Sequence, residues 1–143
     1  MSAPLSESTM SVVESTAPIL KEHGVAITSR FYDRLFREYP EVKPMFATAT
    51  PGQAERLAAA VLAYASNIRN LDALGPAVER IATKHVGAGV LPAHYDIVGT
   101  LLLGSMVEVL GEIDVEVLDA WGEAYTFLAD IFIATEATMA AAQ

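Results

Sequence analysis

Three histidines, His23, His85 and His94, are the side chains of this 143-residue chain best suited to metal binding or proton transfer near neutral pH. The chain has no cysteine, which excludes disulfides, thiolate metal ligands, iron–sulfur clusters and cysteine nucleophiles. It also has no HExxH motif, no EF-hand loop, no P-loop and no Glu-x-x-His repeat. Histidine chemistry is therefore the first possibility to examine.

His85 is placed differently from the other two histidines. It falls on the apolar side of a predicted helix, in line with Val78 and Ile81, just before a glycine-rich stop. A lone histidine on such a face is most often a hydrogen-bonded core residue. The alternative is a single axial ligand to a haem iron. His23 is expected at a helix C-terminus and His94 in an exposed first turn, so both fit surface positions.

Four further polar side chains could serve a site, although each also has a purely structural interpretation. Tyr32 fits a core aromatic residue whose hydroxyl finds a partner, and Tyr95 fits another amphipathic aromatic residue. Gln53 opens a predicted helix, and Glu136 lies late in the last helix as a solvated charge. Taken singly, none of the four identifies a function.

The elements that must position these residues are helices. Apolar residues recur at helical spacing through most of the chain, whereas no clean two-residue alternation indicates a strand. The predicted helices cover about residues 6–23, 25–38, 53–69, 71–86, 92–111 and 115–140, with a short turn at 40–46. These six main helices joined by short connections predict an all-α fold.

Proline and glycine set the predicted boundaries. Pro18 is expected to kink or end the first helix, and Gly24 to end it. Pro92 suits the first turn of the fifth helix, and Asp114 suits the N-cap of the sixth.

Composition limits the class of protein. Hydrophobic residues make up 52% of the chain, which excludes intrinsic disorder, and the length fits one domain over residues 1–143 with tails at about 1–7 and 138–143. The net charge of −9 disfavours nucleic-acid binding. The apolar stretch from Ile97 to Leu110 is shorter than the roughly 20 residues of a membrane span, and no signal peptide is evident. We therefore expect a cytoplasmic protein with no membrane span.

Five collinear motifs over about residues 8–136 resemble flavohaemoglobins and bacterial single-domain haemoglobins. The motifs are FYDRLF at 31–36 followed by PEVK at 40–43 and Phe46, AYASNI at 63–68, PAVERIA at 76–82 with KH at 84–85, HYDIVG at 94–99, and LDAWGEAY at 118–125. The resemblance implies a globin fold that holds haem b.

The resemblance also assigns roles to residues. On the distal side it implies a hydrogen-bond donor to bound ligand, a polar helix residue and an apolar wall, which are Tyr32, Gln53 and Leu57, with Phe46 packed on the haem. On the proximal side it implies an iron ligand, a polar network touching it and a partner for a haem propionate, which are His85, Tyr95 with Glu136, and Lys84. It implies that the pocket is also lined by Ile81, Val98 and Leu102.

These roles are chemically consistent. A phenol that donates to a ligand carrying negative charge stabilises that charge. A carboxylate that receives the second imidazole N–H makes the histidine a stronger electron donor to iron. The stretch 47–52 looks shorter than the loop of the family, which leaves the direction of Gln53 open.

The resemblance implies a protein that binds oxygen, nitric oxide and carbon monoxide, as a monomer or a homodimer. Oxidation of nitric oxide to nitrate is a hypothesis and would need a separate flavin reductase, because the flavohaemoglobin reductase domain has no counterpart in these 143 residues. The alternatives are an oxygen storage or delivery globin and a cofactor-free helical sensor or interaction module. Enzymatic activity is left open.

Overall fold

Helices form all the regular structure in residues 5–46 and 51–142, the part of the chain that this computed structural model describes. The α-helices are α1 (Glu7–Ser15), α2 (Ala17–Glu38), α3 (Gln53–Ser66), α4 (Gly75–Ala88), α5 (Pro92–Leu110) and α6 (Val115–Ala141). Short 3₁₀ helices cover Pro40–Phe46 and Leu71–Leu74. The predicted all-α fold with six main helices is confirmed.

The predicted boundary between the first two helices is wrong. The break falls at Thr16, whose hydroxyl donates to the Val13 carbonyl and accepts the Trp121 indole N–H at 3.0 Å. Pro18 lies in the first turn of α2, where its missing N–H costs nothing. Gly24 lies inside α2, and a Cβ there would be 3.4 Å from the Ala58 Cβ. The glycine therefore serves a close helix contact instead of a helix stop.

Two histidine placements change with these boundaries. His23 lies within α2 instead of at a helix C-terminus, so the predicted capping role is wrong. His94 is half-buried rather than exposed, because its Nδ1 accepts the Leu91 backbone N–H at 2.8 Å as part of the α5 N-cap. Asp114 is the N-cap residue of α6 as predicted, although its side chain makes no capping hydrogen bond.

Smaller differences concern helix ends. The third helix ends at Ser66, and residues 71–74 form a 3₁₀ turn before α4 begins at Gly75. The last helix continues to Ala141, past the start of the expected tail at about residue 138.

Packing divides the apolar residues into two clusters. The larger one joins α1, α2, α3, α5 and α6, because α2 packs on α3 and α5 while α1 packs on α6. The smaller one lies where α4 meets α6 and the start of α5, around Ala82, Tyr95, Ala129 and Phe132. The sequence-predicted site residues are distributed over both clusters.

Within the described ranges, one helix, α5, is long and apolar enough by length and composition to cross a membrane. Its buried residues include Leu101, Leu102, Ser105 and Met106, and all but Ser105 belong to the larger core cluster.

Candidate functional site

Three helices bring His85, Tyr95 and Glu136 together. His85 comes from the last turn of α4, Tyr95 from the first turns of α5 and Glu136 from the last turns of α6. The His85 Nδ1 lies 2.8 Å from Glu136 Oε2 and 3.0 Å from the Tyr95 hydroxyl. The Tyr95 hydroxyl in turn donates to the same carboxylate at 2.7 Å. We call these three residues the proximal triad.

The proximal triad is buried except for part of its histidine. Glu136 and Tyr95 are each 8% exposed, whereas the His85 side chain is 34% exposed. The hydrogen bonds that His85 makes within the described residues all use Nδ1. A carboxylate at Nδ1 favours the tautomer that carries the proton there. The Nε2 lone pair is then free to bind a metal.

Burial and the neighbouring carboxylate keep the Tyr95 phenol protonated. Its pKa is raised well above the usual value, first by desolvation and then by the hydrogen bond to Glu136. The hydroxyl therefore remains a donor to the carboxylate at any pH near neutrality.

Two aromatic residues that the sequence analysis did not assign to the site support the triad. The Phe132 ring lies 5.7 Å from the imidazole of His85 and stacks on Tyr95 at 6.3 Å. The Tyr125 hydroxyl donates to the Tyr95 carbonyl at 2.7 Å. The spacing of 125, 132 and 136 on one helix would have pointed to both.

Gly99 makes the Tyr125 contact possible. A Cβ at Gly99 would lie 2.6 Å from Cε2 of the Tyr125 ring, closer than real Cβ atoms come. The bare backbone of α5 therefore accepts the ring, and the first turns of α5 are held against α6.

Tyr32 lies in a second aromatic group, which we call the distal group: Tyr32, Phe31, Phe36 and Phe46. The Tyr32 ring is 5.0 Å from Phe31, 5.9 Å from Phe36 and 5.8 Å from Phe46, measured between ring centroids. No hydrogen bond joins its hydroxyl to another described residue. Burial raises the pKa of the phenol, although the charge of Arg56 acts to lower it. The hydroxyl is thus a protonated donor available to a ligand.

The other predicted site residues lie around these two groups. Leu57, Val98 and Leu102 pack with Tyr32 and Phe46 in the larger cluster, and Ile81 packs in the smaller one. Gln53 is the first residue of α3, after Gly52 with φ of +92°, and makes no side-chain hydrogen bond to the described residues. Lys84 is exposed beside His85, and the described residues give it no ion pair.

The loop suspected to be short, 47–52, lies mostly outside the described residues. Positions 47–50 are not described, so the direction that this loop gives to Gln53 stays a prediction.

The lining combines apolar walls with one nitrogen donor. Phe46, Leu57, Ile81 and Val98 are only partly buried, although burial of apolar side chains is favourable. The proximal triad adds one imidazole nitrogen without a partner. Partly exposed apolar side chains suit contact with an apolar group, and a free imidazole nitrogen suits a metal with affinity for imidazole.

Comparison with known proteins gives consistent matches. The family model described as Globin matches residues 29–132. A flavohemoprotein from Bacillus thuringiensis is 49% identical over 138 residues, which cover 94% of this chain and 34% of the relative. An uncharacterized globin-like protein from Aquifex aeolicus is 48% identical over 132 residues, which cover 92% of this chain and 94% of the relative. The chain therefore spans about a third of the flavohemoproteins that it matches.

Solved structures agree with the family match and confirm the predicted globin fold. An engineered carbene transferase from Rhodothermus marinus, provisionally described as a nitric oxide dioxygenase, superposes with a TM-score of 0.92 at 40% identity. The match covers 96% of this chain and 97% of that one. A flavohemoglobin from Malassezia yamatoensis, solved with bound FAD and heme, gives a TM-score of 0.77 at 26% identity and covers 97% of this chain and 38% of that one.

Proposed function

Because this chain belongs to the globin family, we propose that it binds haem b through His85 and takes oxygen, nitric oxide or carbon monoxide on the side of Tyr32. The observation that carries the proposal is the proximal triad, in which Glu136 and Tyr95 occupy the Nδ1 side of His85 and leave Nε2 free. The heme in the related flavohemoglobin supports the choice of cofactor.

The residues present fit such a group. Nε2 of His85 would bind the iron, and the partly buried apolar side chains on both sides would contact the porphyrin faces. Lys84, exposed one residue before the ligand, would pair with a propionate. When bound, haem supplies an iron with an open coordination position and a reversible one-electron couple.

On the proximal side, the triad tunes the histidine. The buried Glu136 carboxylate accepts the Nδ1 proton at 2.8 Å, which gives the imidazole partial anionic character and increases its donor strength. The Tyr95 hydroxyl donates to the same carboxylate and holds it in place. Strong electron donation from histidine favours chemistry on a bound gas over simple carriage.

On the distal side, Tyr32 provides a hydrogen-bond donor. Its phenol stays protonated because burial raises its pKa, and the described residues leave its hydroxyl unengaged. Such a donor stabilises negative charge that develops on a ligand, since it is already in place and needs no reorganisation. The apolar Leu57 and Phe46 beside it limit the access of water.

This combination supports oxidation of nitric oxide to nitrate as the reaction. Each turnover would combine one oxygen, one nitric oxide and one electron into one nitrate, so one electron must be supplied for every nitrate formed. We propose that a flavin reductase unit supplies the electron, because the matching flavohemoproteins are about three times as long as the matched region and the related flavohemoglobin was solved with bound FAD.

The first test is an absorption spectrum of the purified protein as isolated, after dithionite and then with carbon monoxide. A strong Soret band that shifts in both steps is expected for a histidine-ligated haem with an open distal side. The oxygenated protein should then convert nitric oxide to nitrate in a one-to-one ratio.

The controls separate the two parts of the proposal. Absence of a Soret band even after hemin addition would contradict haem binding. A normal spectrum without stoichiometric nitrate would refute the reaction and leave gas binding as the function.

A further inference from the structure

A buried hydroxyl between α2 and α3 occupies the turn before the distal donor. Thr28 is 2% exposed and lies four residues before Tyr32 on the same helix. Its hydroxyl lies 2.7 Å from the Ala54 carbonyl oxygen and 3.3 Å from that of Val25. Since a hydroxyl has one proton, the shorter contact receives it, and Thr28 donates to Ala54.

The acceptor adjoins the other distal side chains. Ala54 follows Gln53 directly and lies in the first turn of α3, three residues before Leu57. The hydrogen bond therefore joins the turn of α2 that precedes Tyr32 to the turn of α3 that carries Gln53. Thr28 and Ala54 are 26 positions apart in the chain, so this hydrogen bond joins turns that the local backbone does not hold together.

The two helices run in opposite directions through this contact. Gly24 faces Ala58 at close range, and one turn later Thr28 faces Ala54. One further turn along α2 reaches Tyr32, whereas α3 begins at Gln53. The Thr28 bond thus links α2 to α3 at the end of their contact nearest Tyr32 along α2.

Backbone satisfaction does not require this bond. As an interior α3 residue, Ala54 has a carbonyl that already accepts an N–H within the helix, and the second lone pair takes the Thr28 proton. Replacing threonine by valine keeps the shape and leaves no orphaned buried donor. The bond is therefore suited to fixing position with little share in overall stability.

From these contacts we propose that Thr28 is a positioning residue for Tyr32, which sets the distance between the Tyr32 hydroxyl and a ligand by fixing α2 against α3. This inference rests on the proposed gas-binding function. The position of Tyr32 depends on how α2 is placed, because ring packing holds its side chain and its hydroxyl makes no hydrogen bond to a described residue. A hydrogen bond weakens steeply when a shift of the donor brings its angle at the hydrogen below about 120°.

The test uses the haem-loaded protein with Thr28→Val and Thr28→Ser. We expect Thr28→Val to release oxygen roughly three to ten times faster, which is no more than the effect of losing one hydrogen bond. The C–O stretching band of the carbon monoxide complex should broaden and shift toward the frequency seen in Tyr32→Phe. Thr28→Ser keeps the hydroxyl and should return both readouts close to wild type. If Thr28→Val does not fold, Thr28→Ala replaces it.

Thr16→Val is the matched control. Thr16 is also buried, at 4% exposure, and accepts the Trp121 N–H from α6, so its replacement leaves the bond between Thr28 and Ala54 in place. This variant should lower the melting temperature without changing oxygen release.

A double variant shows whether Thr28 acts through Tyr32. On a Tyr32→Phe background, Thr28→Val should add less than a twofold change, because the group it positions is gone. An unchanged oxygen release rate and C–O stretch in Thr28→Val, or full additivity with Tyr32→Phe, would overturn the inference while wild-type gas binding stands. Failure of wild-type protein to bind oxygen would instead refute the proposed function.

Discussion

The two sides of the candidate site are held in different ways. On the proximal side, the polar atoms of Glu136 and Tyr95 bond to each other and to His85 at 2.7–3.0 Å, deep in a cluster that includes Phe132. On the distal side, Tyr32 lies among three phenylalanine rings, and its hydroxyl bonds to no other described residue.

The difference agrees with the proposed roles of the two sides. A proximal ligand must keep one tautomer and one orientation whatever is bound, and a buried carboxylate with two donors provides both. A distal donor must keep its proton available for the ligand, so partners within the protein would compete with it. Hydrogen bonds therefore fix the proximal side, and ring packing with helix placement fixes the distal side.

The largest effect should come from removing the nitrogen ligand. His85→Ala should abolish the spectrum of a histidine-ligated haem and weaken hemin binding by more than the 10–100-fold that is typical of changing an outer partner. Hemin titration followed at the Soret band measures this. His94→Ala is the matched control, because it removes a helix-cap acceptor and no proposed ligand. Equal hemin affinity in both variants would exclude His85 as the ligand.

The second prediction tests the hydrogen bond between Glu136 and His85 in the proximal triad. Glu136→Gln keeps the shape but removes the charge that strengthens the bond to Nδ1. We expect about tenfold weaker hemin binding, a lower iron–histidine stretching frequency and a higher ferric/ferrous potential.

Glu123→Gln serves as the control for this substitution. Glu123 lies on the same helix and accepts the Thr9 hydroxyl at 2.6 Å, in contact with α1 instead of α4. Its replacement should leave the iron–histidine stretch unchanged. A wild-type stretch in Glu136→Gln as well would mean that the carboxylate does not tune His85.

The fold was predictable because helical periodicity, prolines and the motif order all agree. The errors lie where tertiary contacts decide. Gly24 has the sequence signature of a helix stop, yet the Ala58 side chain opposite it explains the glycine, and that contact is not visible in sequence. Thr16 ends α1 through partners that include Trp121, far along the chain.

The proximal network was predictable only as a resemblance. Glu136 taken alone looks like a solvated charge, and its burial depends on three helices meeting. Phe132 and Tyr125 share its helix face, so periodicity could have indicated them. Thr28 carried no signal, because a threonine within a helix has many uses and its partner is 26 residues away.

The last prediction concerns the distal side. Tyr32→Phe keeps the ring contacts and removes the donor, so oxygen should dissociate roughly tenfold faster if one hydrogen bond of about 1.5 kcal/mol is lost. Hemin affinity and the iron–histidine stretch should not change, because the proximal triad is intact.

Tyr64→Phe is the matched control, because it removes the same hydroxyl group from a tyrosine with a structural partner and should have the opposite effects. The Tyr64 hydroxyl donates to the Ala124 carbonyl at 2.7 Å within the core, so its removal should cost about 1 kcal/mol of unfolding free energy and leave oxygen release unchanged. Stopped-flow displacement of oxygen by carbon monoxide and thermal unfolding measure the two quantities. If Tyr32→Phe lowers stability as Tyr64→Phe does while oxygen release stays at the wild-type rate, the Tyr32 hydroxyl serves packing, and a group other than Tyr32 stabilises the ligand.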